Sequence, residues 1–449
     1  MEILNLKDKI FEAGKEMGFD DMEISYVSNK KFNCKVFKDS IDDYSISIEG
    51  GISFRGVINN KMGYSYTEKV DETSINLLLK KARENAQVIE NDDNEEIFEG
   101  SAIYERVDIF SDDYSHVKVE DKLQLLLNFA EEVYKQDERV AQILYNLYED
   151  HESERMIFNT KGLSKIEKSN IGLIYFSILV KDSKDSKSSS ILKVTRDFRD
   201  FDYKEMAKSV VEDALTLLGA EPVKSKDYSI LLKNNAAASL LQTFKDIFSA
   251  ENVQHGRSLL KNKLGEAIAS NQITIIDDPH IKEKMASRSF DSEGVATKKC
   301  VIVEEGLLKT YLHNLKTAKK DGVSSTGHGY RNSYKGTITI APTNLFIDSG
   351  DNTYDDLVKS IEEGLIITEL QGLHSGANIV SGDFSLAAEG YFVKNGQIEK
   401  PVNQITIAGN FYELLKNIEA VGNDIEFTFP SEGYVGSPTL LIKKLAVSG

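Results

Sequence analysis

Imidazoles are the first place to look for chemistry, because histidine is both the commonest metal ligand and the commonest general base. The chain carries 7 histidines, among them His116, His151, His255, His280, His313, His328 and His374. His151-Glu152 opens the phrase HESERM. A zincin helix needs a second histidine four residues on, so that both rings share one helical face. That position is Arg155 and the next is Met156, so the phrase reads as a surface turn between strands. No other histidines pair at ligand spacing. A distant set such as His255, His328 and His374 with an acid stays open, against the plainer reading of scattered, hydrogen-bonded or solvent-facing rings.

Nucleophiles give less. Gly372-Leu373-His374-Ser375-Gly376 places its serine one position late for GxSxG. Cys300 follows Lys298-Lys299, whose charge would lower a thiol pKa, but it precedes an apolar Val-Ile-Val run and reads as a strand-end structural residue. Neither GxxxxGK[ST] nor a helix-opening GxGxxG is present. Two glycine-rich stretches remain: TGHGYR, Thr326 to Arg331, and QGLHSGANIVSGDFSLAAEG, Gln371 to Gly390. Glycine within strands marks a bulge or the close approach of another backbone. An extended peptide adds to a sheet at that kind of open edge. Tight turns between strands are the plainer alternative.

The elements that would carry these residues are mixed. Ile3, Leu6, Ile10, Phe11 and Met17 recur at helical spacing, and the first helix ends near Gly18. Strand-like runs follow, with Tyr44, Ile46 and Ile48 alternating as if half buried and a hairpin turn at Asn59-Asn60. Helices are expected over Asp71–Ile89, Val119–Gln136 and Lys204–Leu218. The acidic stretch Glu90–Gly100 reads as a linker, and Lys181–Ser190 as a polar loop or tip. The main boundary falls near Ala220 to Asp227, giving 1–222 and 223–449, with a possible sub-boundary near 90–115. The second half opens with the strand YSILLK and the helix NNAAASLLQTFKDIFSA. Hairpins follow around Glu304-Glu305-Gly306 and Lys394-Asn395-Gly396, and a helix capped by Thr353 with Asp356 is stopped by Gly364. Many consecutive strands favour an α+β fold. Its N-terminal part is sandwich-like with a mixed or antiparallel sheet, and its C-terminal part is a curved, mostly antiparallel sheet with a few helices.

Length and composition set outer limits. A chain of 449 residues supports two or three domains. A net charge of −18 opposes sequence-independent binding to nucleic acid. Two cysteines without CxxC spacing exclude a disulfide scaffold and a Cys-rich zinc site, and fit a reducing compartment. Charges at Glu2, Lys7, Asp8 and Lys9 are unlike a signal peptide, and the most apolar run, Ile171–Val180, is too short to span a bilayer. A cytoplasmic protein without membrane contact is expected.

Several phrases, taken together, resemble the TldD/PmbA family, also called modulators of DNA gyrase or microcin-maturation proteases. They are FDSEGVATKKCVIVEEGLLKTYL, SSTGHGYRNSY, GLHSGANIVSGDFSLAAEGYFVKNGQIEKPV, ITIAGNFYELLKNIEAVGND and SPTLLIKKLAV, with GGISFRGVINNKMGYSYT near the start. In the TldD branch the helix after the boundary strand carries His-Glu-three residues-His, and a late C-terminal cysteine completes the zinc site. Here that helix begins Asn234-Asn235-Ala236-Ala237-Ala238-Ser239-Leu240, and the late segment EFTFPSEGYVGSPTLL has no cysteine. The chain therefore resembles the PmbA (TldE) branch. The resemblance implies a zinc-free subunit of an intracellular protease acting on unfolded peptide. Zinc is expected in a TldD-like partner and no cofactor or catalytic residue in this chain, which forms homodimers or heterodimers. Gly372, His374, Ser375, Gly376, Asn378, Ser381, Gly382 and Asp383 are then candidate contacts to peptide or partner, with His328 and Arg331 from the shorter stretch. Two other functions stay open: an autonomous metallopeptidase with a non-family ligand set, and a non-enzymatic modulator that binds DNA gyrase or another protein.

Overall fold

The computed structural model describes residues 2–37, 40–88, 95–282 and 284–449. The first part is one six-stranded antiparallel sheet in the order β3-β2-β1-β4-β5-β6. Its strands are β1 (Asp21–Phe37), β2 (Ser40–Ile58), β3 (Lys61–Thr67), β4 (Val140–Asn159), β5 (Ser164–Lys181) and β6 (Ser186–Thr195). Asn59 and Asn60 close the β2–β3 hairpin with φ of 52° and 60°, the doubly left-handed turn that suits strand twist.

The strands β1 and β4 are long enough to run under two separate helical covers. Helices Glu2–Glu16 and Ile75–Val88 pack Ile10, Leu78 and Leu79 on Ile24, Ile52, Phe54 and Phe158 at one end of the sheet. Helices Val119–Gln136 and Tyr203–Thr216 pack Leu126, Phe129, Val210 and Val211 on Phe32, Tyr148, Ile174 and Phe176 at the other. The Phe129 and Phe176 rings stack at 3.9 Å.

The C-terminal half holds two further six-stranded sheets. One runs Gln397–Asn410, Asp383–Lys394, Glu363–Gln371, Lys226–Leu232, Leu440–Ser448, Ile418–Val421, and is antiparallel except between Glu363–Gln371 and Lys226–Leu232. The other runs Leu307–Leu308, Cys300–Glu304, Ile275–Asp277, Asn344–Ile347, Tyr434–Ser437, Glu426–Phe427, with Asn344–Ile347 and Tyr434–Ser437 parallel. Residues of both sheets share one large apolar core with the helix Asn234–Phe244, whose Phe244 stacks on Phe411 at 4.5 Å. The fold is α+β, as the consecutive strands predict.

Several local expectations change. His151 lies in the middle of β4, opposite Lys31 of β1 and Ile171 of β5, and is not in a turn. Tyr44, Ile46 and Ile48 are 56%, 55% and 72% exposed, because no helix covers that end of β2. Gly364 lies within the strand Glu363–Gln371, and the preceding helix already ends at Lys359, capped as expected by Thr353 and Asp356. The serine-rich tip is a turn at Asp182–Asp185 followed by the edge strand β6. Of the acidic linker, residues 90–94 lie outside the described residues. The rest of it is docked, with Ile97 buried and Glu95 and Glu96 paired to Lys316 and Lys319.

Candidate functional site

The helix Asn234–Phe244 follows directly from the strand Lys226–Leu232. Its alanines and leucines, Ala236, Ala237, Leu240 and Leu241, are buried, which leaves Asn234, Asn235, Ser239, Gln242 and Thr243 on its polar side. Asn234 Nδ2 donates to the Asp424 carbonyl at 2.8 Å, and Asn235 Nδ2 to the Thr368 carbonyl at 2.9 Å. Ser239 Oγ sits 3.2 Å from Thr428 Oγ1, which belongs to the late segment EFTFPSEGYVGSPTLL. The two segments singled out for zinc ligation in the TldD branch therefore face each other here. Between them stand neutral amides and hydroxyls, which supply neither imidazole nor thiolate and do not fit a tetrahedral zinc. Among the described residues no three His, Cys, Asp or Glu side chains are grouped as a metal site.

The glycine-rich stretch borders this helix. Gly372, at φ 78°, turns the chain out of the strand Glu363–Gln371 into one helical turn, Leu373–Gly376, beside Asn234–Phe244. Much of the stretch is occupied with its own architecture. Asn378 Oδ1 accepts from the Val380 and Ser381 amides at 3.0 and 3.1 Å. Asp383 Oδ1 accepts from Asn410 Nδ2 at 2.9 Å. That bond and one with Ser381 hold the exposed Asp383 carboxyl below its ordinary range. Ser375 Oγ bonds the Gly372 carbonyl at 3.3 Å. A Cβ on Gly376 would overlap the Ser385 carbonyl, and one on Gly382, at φ 83°, would crowd the Tyr412 ring. His374 is exposed, and so are Ile379 and Val380 at the tip, at 38% and 46%.

His328 and Arg331 belong to a different neighbourhood. His328 is buried, with Nε2 at 2.9 Å from Asp277 Oδ1 and Nδ1 at 2.8 Å from Thr326 Oγ1. Asp277 Oδ2 also accepts from the Thr343 amide at 2.7 Å, so the ring is a brace between loops. Arg331 reaches the N-terminal sheet, where it donates to Ser53 Oγ and lies 5.4 Å from the Tyr64 ring centre. His255 is exposed, and no acid assembles it with His328 and His374 among the described residues. Cys300 is buried at a strand start, and burial, with the Asp277 charge, pushes its thiol up to about 12 against the pull of Lys298.

Sequence reasoning missed a buried ionic group between the N-terminal sheet and the C-terminal half. Glu23 on β1 and Arg55 on β2 are register partners, and Arg55 Nε donates to Glu23 Oε1 at 2.9 Å. Across from them, Asp291 accepts from the Glu293, Val295 and Gly329 amides at 2.8, 2.9 and 2.9 Å. That turn presents Glu293, which is 4% exposed. Its Oε2 accepts from the Leu315 amide at 2.8 Å, while its Oε1 stays 3.7 Å from Arg55 Nη1. Burial first, and the Asp291 charge next, push Glu293 up to about 8 against the pull of Arg55. Arg55 and Glu293 both stand in phrases that carry the family resemblance. Charged residues inside strand and turn patterns look like surface ones, so nothing in the sequence marked them for burial.

Known proteins share this architecture. Residues 225–449 match the PmbA/TldA metallopeptidase C-terminal domain, residues 112–218 the central domain and residues 22–86 domain 1. The crystal structure of a putative modulator of a DNA gyrase from Thermotoga maritima is 32% identical, with a TM-score of 0.91 over 99% of each chain. TldE from Thermococcus kodakarensis, at 21% identity, shares the fold with a TM-score of 0.90 over 99% of this chain and 100% of its own. The metalloprotease PmbA homolog of Haemophilus influenzae is 26% identical over 91% of this chain and 88% of its own. Three consecutive domain matches on one continuous architecture place this chain in the PmbA/TldA (TldD/PmbA) metallopeptidase family.

Proposed function

We propose that this chain is the PmbA (TldE)-like subunit of a cytoplasmic two-subunit peptidase, that it holds no zinc itself, and that residues 1–222 and 223–449 are its two units. The observation that carries the reading is the Ser239–Thr428 hydroxyl pair, at 3.2 Å, where a zinc hydrolase needs imidazole and thiolate. Without a metal to lower the pKa of a bound water, the helix face has no means of activating one. The Gly372–Asp383 stretch beside it, tied by its own hydrogen bonds, then serves as wall: it offers backbone and the exposed His374, Ile379 and Val380 to a TldD-like partner or an extended peptide. The partner supplies zinc and bond cleavage, and this chain completes the chamber that admits unfolded peptide.

The test measures hydrolysis of an unfolded peptide by this chain alone, by a TldD-like partner alone, and by the mixture. Activity is expected to require the partner and to be highest in the mixture, with both chains co-eluting. Chelator-sensitive hydrolysis by this chain alone would end the reading.

A further inference from the structure

A cavity of about 900 Å³ opens where the N-terminal sheet meets the C-terminal half. That is the size of a small-molecule or short-peptide site. Arg55 and Glu293 line it, together with Lys298, the paired Glu95 and Lys316, and the apolar Ile97 and Leu315. Arg55 and Glu293 are 5% and 4% exposed, so both functional groups are held by their surroundings. Arg55 is closed against Glu23 at 2.9 Å but stands 3.7 Å from Glu293 Oε1, too far for a hydrogen bond. Glu293 thus spends one oxygen on the Leu315 amide and turns the other toward the Arg55 guanidinium, at the wall of a cavity.

We infer that this cavity is a second binding site of the chain, in which Arg55 and Glu293 together receive a carboxylate group of a peptide. Arg55 directs Nε and Nη2 at Glu23, which leaves Nη1, the nitrogen nearest Glu293, as its charge-assisted donor to a guest carboxylate. Glu293 adds to it only as the neutral acid, whose O–H donates to the guest; two facing carboxylates would repel. Burial and Asp291 supply that condition by pushing Glu293 up to about 8. The charged groups around it are Arg55 and Glu23 from the sheet, Asp291 from its own turn, and Arg331 from the following loop. The other charged groups of the cavity lining are Lys161, Lys298, Lys316 and Lys319 with Glu95, Glu96, Glu99 and Glu105, of which Glu95 also acts on Arg55. Binding is accordingly strong below pH 8 and fades above it, as Glu293 ionises.

The inference is independent of any partner, because it is measured on this chain alone by calorimetric titration. The probes are acetyl-Ala-Ala-Ala with a free C-terminal carboxylate, its C-terminal amide, acetyl-Ala-Asp-Ala amide, and inorganic phosphate. The free acid is expected to bind at least tenfold more tightly than the amide. The aspartyl peptide tells a terminal from a side-chain carboxylate, and whichever acid binds more tightly names the source. Affinity of the acid should fall about tenfold per pH unit above 8, the slope of one linked proton. Glu293→Gln keeps a donor, so it should bind and lose the pH dependence. Val323→Trp at the exposed rim leaves the buried charges alone and should weaken binding if the cavity is the site. Equal binding of amide and acids, phosphate binding as tightly as the acids, no binding by any probe, or an unchanged pH slope in Glu293→Gln would overturn the assignment.

Discussion

Glu293 and Glu149 respond to pH in opposite directions, and the sign follows from their surroundings. For Glu293 burial wins, and the folded chain holds its proton up to about 8, above the ordinary 4.5. The folded state then binds a proton that the unfolded chain has released, so stability falls as pH rises through that window. Glu293→Gln removes the ionisation. Its melting temperature should rise relative to the parent between pH 5 and 8, by the equivalent of roughly 1–4 kcal/mol at pH 8. A constant offset across that range would refute the account. For Glu149, burial is outweighed by hydrogen bonds from His151, Lys31 and Asn33, which hold the carboxyl down at about 2. Its contribution is therefore complete above the ordinary range and is lost as pH falls toward 2. Glu149→Gln should cost stability at pH 7 and little at pH 2.5, read by denaturant titration at both. A third residue acts through space alone. Gly172 lies under Tyr114, whose hydroxyl bonds Tyr148 at 2.9 Å, and a Cβ there would overlap that hydroxyl. Gly172→Ala should destabilise by roughly 1–3 kcal/mol, as overpacking does; an unchanged denaturation midpoint would show that the tyrosines can move aside.

What the sequence discloses about an element depends on what covers it. Hydrophobic periodicity reports a strand only where one face meets a helix. The ends of β1 and β4 do, through Ile24 and Phe158 in one core and Phe32 and Tyr148 in the other, and both ends were legible. The middle of β4, from Glu149 to Arg155, lies between the two helix pairs and is polar on both sides, so one strand of the sheet reads as two joined by a turn at His151. Tyr44, Ile46 and Ile48 fail in the opposite sense: their alternation is real, and their face is uncovered. Turns and caps depend on neighbours in the chain, and Asn59-Asn60, Asn395-Gly396 and the Thr353–Asp356 box were all legible. The helix Asn234–Phe244 was legible too, but its meeting with Thr428 needed the folded chain. That meeting can be tested. If residue type alone keeps zinc away, Asn234→His, Ser239→His and Thr428→Cys together place two imidazoles at the spacing of the TldD-branch motif beside a thiolate. The triple variant should take up close to one zinc per chain by elemental analysis, where the parent takes up none. Failure of a folded triple variant to do so would mean that the backbone spacing has also drifted from a ligating geometry.

Arg196 joins the halves of the molecule from a single buried position. It stands just after β6 and is 8% exposed. Its guanidinium donates to the Ile109 and Asn170 carbonyls at 2.7 and 2.5 Å within the N-terminal half. The same group reaches the Lys282 and Lys284 carbonyls, each at 2.9 Å, in the C-terminal half. One planar fork thus ties the N-terminal sheet to a loop of the C-terminal half, where a lysine's single ammonium cannot span the same set. The junction is also held by the buried group around Arg55 and Glu293, by Arg331 on Ser53, by Tyr104 Oη to the Gly294 carbonyl at 2.7 Å, and by the exposed Lys282–Asp108 ion pair at 3.8 Å. Each half has its own core, so the junction decides whether they melt together. Arg196→Ala removes these charge-assisted bonds from a buried place, at a cost of roughly 3–5 kcal/mol. The loss falls on the coupling and spares both cores. Calorimetry should then resolve two transitions where the parent shows one, and limited proteolysis should cut the loop that holds Lys282 and Lys284 sooner. Arg196→Lys should recover only part of the single transition. A variant that still melts once, at the parent temperature, would assign the coupling to the ionic group around Arg55 and Glu293, and with it the rigidity of the cavity they line.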